Sequence, residues 1–286
     1  MVTPFSTNGA VDVDRFRELA RFLVENGSDG VVVCGTTGES PTLTDEEKLA
    51  LFAAAVETVG DRATVIAGTG TYDTAHSAHL TEQATELGVD GILVVAPYYN
   101  KPPQRAIIRH FETIASATDL PVVAYNIPGR VVVNIESATV ARLAEIDNVV
   151  AVKQALDDPD QARFIAEETR LDLYSGDDPN TVAFLDLGAV GVVSVTAHLW
   201  GTQIAEMIRR HRDGDLEGAH AIHEELQPSH DLLRIQVNPI PIKAALNLAG
   251  HEVGGHRLPM VEPDDEESAQ IRSCLERSGL LAGASA

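Results

Sequence analysis

The sequence predicts an α/β fold, and specifically a (β/α)8 barrel of the TIM type, from three observations. Short apolar runs alternate along the chain with longer segments of helical periodicity. The short runs are apolar at nearly every position, as strands are when a parallel sheet is covered on both faces. No dinucleotide-binding fingerprint favours an open, doubly wound sheet, because Gly68 and Gly70 lack a third glycine at the required spacing.

Strands and helices follow one another regularly. Seven strands are predicted, at residues 30–34, 64–68, 91–95, 121–125, 149–153, 171–175 and 191–195. The stub of a first strand, which would complete eight, is expected at residues 1–3. The helices predicted between and after the strands are 12–25, 44–59, 74–87, 104–117, 137–146, 161–169, 180–187 and 198–212. Residues 44–47 have the pattern of a helix-starting capping box.

The pattern becomes wholly helical after the last strand. Further helices are expected at 216–234, 240–248 and 264–278, with no linker of Pro, Gly and Ser before them. We therefore expect a barrel at residues 1–212, with a truncated first strand, and a C-terminal helical region at 213–286 that packs on it.

Composition excludes several classes of function. The chain has 286 residues, 44% of them hydrophobic, and a formal net charge of -22. That charge argues against nucleic-acid binding and predicts a solvated acidic surface or adaptation to salt. No apolar run is long enough to span a membrane, and no secretory signal is expected at the start. Only two cysteines, Cys34 and Cys274, are present, which favours a reduced cytoplasmic setting.

Chemistry is expected where the strands end, because barrel active sites lie at the carboxyl ends of the strands. The chain has only four lysines. Lys48 follows an acidic helix start and is expected to be exposed, Lys101 lies in a polar loop, and Lys243 begins a helix and is expected to be structural. Only Lys153 ends an apolar strand. A partly desolvated lysine there could supply the amine that attacks a carbonyl, although a salt-bridged lysine at the barrel mouth is the alternative.

Schiff-base chemistry also needs a proton shuttle and anion-binding groups. Tyr125 ends the neighbouring strand and could move protons, with the Thr36 hydroxyl as its hydrogen-bonding partner. Backbone N–H groups of residues 35–38 could hold a carboxylate, and Arg130 could hold another. Each has a plain structural alternative: a core tyrosine, a tight strand–helix connection and a surface arginine. Their position at successive strand ends is what favours the chemical interpretation.

The motifs, taken in order, resemble the dihydrodipicolinate synthase/N-acetylneuraminate lyase family of class I pyruvate aldolases. The resemblance covers essentially the whole chain. The matching segments are 2–5, 35–40, 65–70, 97–103, 125–130, 152–153, 175–178, 191–196 and 238–243.

The resemblance implies a role for each candidate residue. Lys153 would form the Schiff base with pyruvate, and Tyr125 would be the general acid/base in a relay with Thr36 and Tyr99. Tyr99 would come from a second copy across a dimer interface. The site residues implied for substrate binding are Thr37 and Val193 for pyruvate, Arg130 for the carboxylate of the aldehyde substrate, and Gly176. The family implies a homotetramer, a dimer of dimers, without metal or organic cofactor.

The chain departs from the family pattern after the lysine. Synthases usually show Glu and then a glycine-containing turn there, whereas this chain has Gln154 and then Ala155 and Leu156. The residue after Arg130 is Val131, where Thr or Ser is common. Both departures fall where the second substrate is expected to bind.

Within the family, Arg130 and the segment 98–100 favour condensation of pyruvate with L-aspartate 4-semialdehyde in lysine biosynthesis. The alternatives are an N-acetylneuraminate lyase, a 2-keto-3-deoxy sugar-acid aldolase, and a non-catalytic small-molecule-binding barrel. A metal enzyme is a weaker alternative: the histidines at 76, 79, 251 and 256 are expected on helices and loops at the surface, away from the strand ends.

Overall fold

The computed structural model describes residues 1–281. It contains seven strands, numbered in chain order: β1 (Gly30–Val33), β2 (Thr64–Gly68), β3 (Gly91–Val95), β4 (Val122–Asn126), β5 (Val149–Gln154), β6 (Asp172–Ser175) and β7 (Gly191–Val192). All seven lie within a residue or two of the predicted positions, except that β7 ends three residues early.

The helices follow the predicted order. They are α1 (Val13–Glu25), α2 (Asp45–Val59), α3 (Thr74–Glu86), α4 (Gln104–Ala115), α5 (Pro128–Val131), α6 (Ser137–Leu143), α7 (Pro159–Glu168), α8 (Thr181–Asp186), α9 (Ala197–Arg212), α10 (Leu216–Glu225), α11 (Gln227–Ile235), α12 (Ile240–Leu248) and α13 (Asp265–Arg277). Short 3-10 helices span Thr36–Gly38, Ser40–Thr42 and Asp178–Asn180. By its internal contacts the chain divides into two compact units, residues 1–63 with 195–286 and residues 64–194.

The unit of residues 64–194 is built on the parallel strands β2 to β7, each paired with the next along the chain. At least one helix connects every consecutive pair, as parallel strands require. Strand interiors are fully enclosed, as at Ile92, Ala124 and Val152, each 0% exposed. Because the strands are parallel, their carboxyl ends meet at one edge of the sheet.

The other unit combines α1, β1 and α2 with the helices α9 to α13. Helix α2 begins with the predicted capping box: the Thr44 hydroxyl accepts from the Glu47 N–H at 3.2 Å, and the Glu47 carboxylate accepts from the Thr44 N–H at 3.0 Å. Each helix turns apolar side chains inward, for example Phe16 and Leu19 on α1. These buried stripes, rather than helix propensity, account for most of the stability of such helices.

Two predicted elements differ in the structure. Residues 1–3 form no strand, because the Val2 N–H is donated to Nε2 of His198 at 3.0 Å instead of to a neighbouring strand. The single helix predicted at 216–234 is two helices, α10 and α11. Pro228 lies in the first turn of α11 and has no N–H with which to continue the hydrogen bonds of α10. The boundary expected at residue 212 stays a prediction.

Candidate active site at the strand ends

Lys153 and Tyr125 lie side by side at the carboxyl ends of β5 and β4. They are direct partners in the parallel register of the two strands. Nζ of Lys153 lies 4.2 Å from the centroid of the Tyr125 ring. Lys153 is 9% exposed and Tyr125 4%, so both side chains are largely enclosed. Within residues 1–281 the amine has no hydrogen-bond or ion-pair partner, which leaves its lone pair accessible to a carbonyl carbon once it is deprotonated.

The other enclosed lysines are committed to partners. Lys243 is 0% exposed, and its ammonium donates to Oε1 of Glu39 at 2.9 Å, to the Thr3 carbonyl at 2.9 Å and to the Gly255 carbonyl. Burial lowers the pKa of Lys243, and the Glu39 carboxylate opposes that shift. Lys48 was expected to be exposed, but it is 5% exposed and pairs with Asp45 at 3.5 Å, because α2 packs against α1.

Arg130 lies on the short helix α5, which starts two residues after β4 ends. The helix begins at Pro128, whose fixed φ suits the first helical position. It ends at Val132, whose φ of 70° is unusual for a β-branched residue. Arg130 is exposed and belongs to the same strand end as Tyr125. A guanidinium there can bind a carboxylate through two parallel hydrogen bonds.

Tyr99 is not enclosed by its own chain. It is 87% exposed and has a φ of 70°. The Asn100 N–H donates to the Tyr98 carbonyl at 2.8 Å, which makes Tyr99 the centre of a γ-turn that turns its side chain outwards. Tyr98 instead packs edge-on against Tyr72, with ring centroids 5.3 Å apart, and burial raises the pKa of Tyr98.

Gly176 and Val193 follow β6 and β7 at the same edge of the sheet. The Gly176 N–H donates to the Gln154 carbonyl at 2.7 Å, and a Cβ at this position would lie 2.8 Å from Cβ of Ala155. Only glycine therefore fits. The Val193 N–H still donates to the Ser175 carbonyl at 2.9 Å, although β7 has ended. The hydroxyl of the next residue, Ser194, donates to the Asp178 carboxylate.

Thr36 and Thr37 belong to the other unit, in the 3-10 helix that follows β1. The Thr37 hydroxyl accepts from the Asn238 side-chain amide at 2.8 Å. Gly38 closes the turn, where a Cβ would approach the Met1 carbonyl at 3.2 Å. Cys34, which precedes the turn, has a φ of 54°, and burial raises the pKa of its thiol to about 12. This thiol therefore stays protonated and unreactive at neutral pH.

Comparison with known proteins identifies the family. The family model described as "Dihydrodipicolinate synthetase family" matches residues 1–278. The chain belongs to this family. A 4-hydroxy-tetrahydrodipicolinate synthase of Moorella thermoacetica is 50% identical over 98% of this chain and 97% of its own. The synthase of Heliobacterium modesticaldum is 52% identical, over 98% and 94% respectively.

Solved structures of the family agree in fold. A crystal structure of dihydrodipicolinate synthase from Bacillus anthracis superposes with a TM-score of 0.94 at 45% identity, covering 96% of this chain and 95% of that one. The dihydrodipicolinate synthase of Cyanidioschyzon merolae, described with lysine bound, gives 0.96 at 43% identity, covering 98% and 97%. Among residues 1–281 no helix is long and apolar enough to cross a membrane.

The structure groups no three potential metal ligands together in residues 1–281. One of the histidines expected at the surface is enclosed: the His256 side chain is 1% exposed, with Nδ1 at 3.3 Å from Oε1 of Glu262. Its burial was missed because it depends on the loop before α13, which has no periodic pattern. His79 is exposed as expected and lies 3.6 Å from Glu82.

Sequence reasoning also missed two polar residues beside the candidate pair. Asn126 and Gln154 directly follow Tyr125 and Lys153, and both are 0% exposed. The side-chain amide of Asn126 donates to Oε1 of Gln154 at 2.9 Å. The sequence does show that each of these two apolar strands ends in a polar residue. It does not show which groups these two residues bind, because their hydrogen-bond partners lie far away along the chain.

Proposed function

We propose that this chain is a class I pyruvate aldolase that condenses pyruvate with L-aspartate 4-semialdehyde to 4-hydroxy-tetrahydrodipicolinate. The relatives that are about half identical over nearly the full chain carry the name of that activity. The observation that carries the proposal is the unpaired amine of Lys153 beside the Tyr125 ring. An enclosed lysine without a counter-charge is suited to nucleophilic attack on a ketone.

The chemistry follows from that amine. Lys153 Nζ adds to the keto carbon of pyruvate, and the carbinolamine loses water to give an imine. Loss of a methyl proton gives an enamine, whose carbon attacks the aldehyde of the second substrate. The amino group of that substrate then adds to the imine carbon and displaces Lys153, which closes the ring and frees the enzyme. Tyr125 is the proposed carrier of the protons that these steps take up and release.

The remaining residues are proposed to bind and orient the substrates. Arg130 is proposed to receive the carboxylate of the semialdehyde, and its exposure at the end of β4 supports this. Gly176 and Val193 are proposed to line the pyruvate site. The roles of Thr36 in the relay and of Thr37 in binding the pyruvate carboxylate stay predictions from the family resemblance.

Tyr99 is proposed to act in a second copy of the chain. Its side chain is 87% exposed at the centre of a γ-turn, a conformation that costs free energy and presents the phenol outwards. A dimer that uses this tyrosine, paired into a homotetramer, is the proposed assembly, and the cytoplasm is the proposed compartment. The complete fold is proposed to be a (β/α)8 barrel.

The first experiment is to trap the imine. Incubation with pyruvate and borohydride, followed by peptide mass spectrometry, is expected to place a reduced pyruvyl group on Lys153. Lys153→Ala should lose the adduct, whereas Lys101→Ala, which removes a lysine from a loop, should keep it. Absence of an adduct on the folded parent protein would refute the proposed function.

The same preparation identifies the aldehyde. Turnover with L-aspartate 4-semialdehyde is expected to exceed turnover with N-acetylmannosamine or glyceraldehyde, because Arg130 suits a short carboxylated aldehyde better than a polyol. If a sugar aldehyde is preferred, the chain is a sugar-acid aldolase. An adduct without turnover of any aldehyde would favour a pyruvate-binding barrel.

A further inference from the structure

Three buried side-chain amides and the backbone N–H and carbonyl of Ile135 form a closed ring of hydrogen bonds. The Ile135 N–H donates to Oδ1 of Asn126 at 3.0 Å, and Nδ2 of Asn126 donates to Oε1 of Gln154 at 2.9 Å. Nε2 of Gln154 donates to Oε1 of Gln161 at 2.7 Å, and Nε2 of Gln161 donates to the Ile135 carbonyl at 2.8 Å. We call Asn126, Gln154 and Gln161 the amide ring.

The two backbone groups of Ile135 decide which atom donates and which accepts in every hydrogen bond of the amide ring. The Ile135 N–H can only donate, so Asn126 must present its oxygen there and its nitrogen to Gln154. The Ile135 carbonyl can only accept, so Gln161 must present its nitrogen to it. A glutamate at 154 or 161 would lack a donor when ionised and would break the ring.

Water cannot substitute for a missing member. Asn126, Gln154 and Ile135 are 0% exposed and Gln161 is 4% exposed. A buried amide that loses its partner keeps the full cost of its desolvation, and a chain of hydrogen bonds strengthens each of its members. The amide ring is therefore expected to hold one geometry rigidly.

The amide ring joins the reacting pair to the segment that carries Arg130. On one side, Asn126 and Gln154 follow Tyr125 and Lys153 in paired strands. On the other, the amide ring includes the backbone N–H and carbonyl of Ile135, which directly follows residues 127–134. Nδ2 of Asn126 also donates to Oδ1 of Asn134 at 2.7 Å.

Asn126 directly precedes residues 127–134, and its side chain binds Asn134 and the Ile135 N–H. It therefore holds the two ends of this segment together. Between the two fastened ends lie α5 and Val132, which is 63% exposed at a φ of 70°. Such a backbone conformation persists only where the surroundings impose it. Gln161 is itself placed by the start of α7, where its N–H donates to the Asp158 carboxylate at 3.0 Å.

We propose that Asn126, Gln154 and Gln161 are positioning residues for the second substrate, because they fix Arg130 relative to Lys153. The inference rests on the proposed function, in which pyruvate bonds to Lys153 and the aldehyde carboxylate meets Arg130. None of the three touches substrate. Their effect on the reaction passes through the segment that they close.

Two variants loosen the segment to different degrees. Asn134→Ala removes one acceptor of Asn126 and leaves the amide ring intact. Gln161→Met keeps the length of the side chain and removes two bonds of the ring. Each is expected to raise KM for L-aspartate 4-semialdehyde, by about fivefold for Asn134→Ala and about tenfold or more for Gln161→Met, since hydrogen bonds contribute on that scale. KM for pyruvate and the yield of the borohydride adduct should stay within about twofold.

Asn148→Ala is the matched control. Asn148 precedes β5 at the opposite end of the strand from Gln154, and its side chain donates to the carbonyls of Ala115, Thr118 and Leu120 at 3.0, 2.9 and 3.2 Å. Its removal destabilises the same strand without touching the segment of Arg130. It should lower the melting temperature at least as much as Asn134→Ala and leave KM for the semialdehyde unchanged.

The outcomes distinguish a failure of the positioning role from a failure of the proposed function. If parent and variants all form the adduct and KM for the semialdehyde is unchanged in both variants, the positioning role is refuted and the proposed function stands. If Asn148→Ala raises that KM equally, the effect is general destabilisation and the inference fails as well. If the parent protein forms no adduct, the proposed function has failed first.

Discussion

His198 is enclosed in the unit of residues 1–63 and 195–286, where the structure requires it to be neutral. It is 3% exposed, and its Nε2 accepts from the Val2 N–H at 3.0 Å. Its Nδ1 lies 2.7 Å from the Val195 carbonyl, which can only accept, so the ring hydrogen is on Nδ1. Burial, together with the charge of the N-terminal ammonium group, lowers the pKa of His198 to about 3.

Stability is therefore expected to fall with acid through this histidine. Between its unfolded pKa, about 6.5, and its folded pKa of about 3, the unfolded chain binds the extra proton. The His198 contribution is complete above the unfolded value and is lost as the pH falls towards the folded one, at up to about 1.4 kcal/mol per pH unit. His198→Gln should flatten the free energy of unfolding against pH in this window, as measured by urea titrations.

The exposed His79 supplies the comparison for that measurement. His79→Gln removes an exposed imidazole from the surface of α3 and is the matched control for the substitution itself. If His198→Gln shows the same slope as the parent protein, the neutral form of His198 has no part in acid sensitivity.

Single residues show what sequence reasoning can and cannot find. Lys153 was predicted because an apolar strand ending in lysine is an unusual local pattern, and within the described residues its amine has no hydrogen-bond or ion-pair partner. The burial of Lys48 and His256 was missed because it depends on packing between elements. The amide ring was missed for the same reason, since its three members lie in two strands and a helix.

Strands and helices were predicted more completely than single side chains. Strands β3 to β5 are buried on both faces, so most of their residues are apolar and their positions are evident. Two predictions of elements are wrong. At Val2 a histidine side chain takes the backbone hydrogen bond that a strand would need, and at Pro228 a proline interrupts the predicted helix. The four-residue helix α5 is too short to show periodicity, although it carries Arg130.

The close approach of β5 and β6 provides a test at this scale. Gly176→Ala is expected to push the two strand ends apart, because the new Cβ would lie 2.8 Å from that of Ala155. The free energy of unfolding should fall by about 1–3 kcal/mol, and adduct formation on Lys153 should slow. Chemical denaturation and the rate of borohydride trapping measure the two effects.

Gly129→Ala is the control for stability in that test. A Cβ at Gly129 would meet no atom within 4 Å, and the residue lies within α5. This change should stabilise by up to about 1 kcal/mol, because alanine loses less backbone entropy than glycine in a helix. Equal stabilities of the two variants would contradict the close approach of the strands.

At the scale of the whole molecule the dominant feature is a net charge of -22. Self-repulsion of this size disfavours the compact state, and salt screens it. Surface ion pairs such as Arg209 with Glu206 act in the opposite sense, because salt weakens them, but exposed pairs contribute little to stability.

The melting temperature is therefore expected to rise with salt. Most of the rise should come between about 0.01 and 0.15 M, where the Debye length falls from about 30 to about 8 Å. Calorimetry in sodium chloride, repeated in sodium sulfate at equal ionic strength, measures the effect. Dependence on the anion rather than on ionic strength would contradict screening as the cause.

The scarcity of lysine, described above as a guide to the active site, also makes the molecule selective towards amine-directed reagents. The Lys243 ammonium is buried and donates to three oxygen acceptors, and Lys48 is buried where α2 packs against α1. Lys101, exposed in its loop, is the other lysine that is open to acylation besides Lys153. With pyruvate occupying Lys153, conjugation to dyes or supports would concentrate on Lys101, close to the tyrosine proposed to meet a second copy.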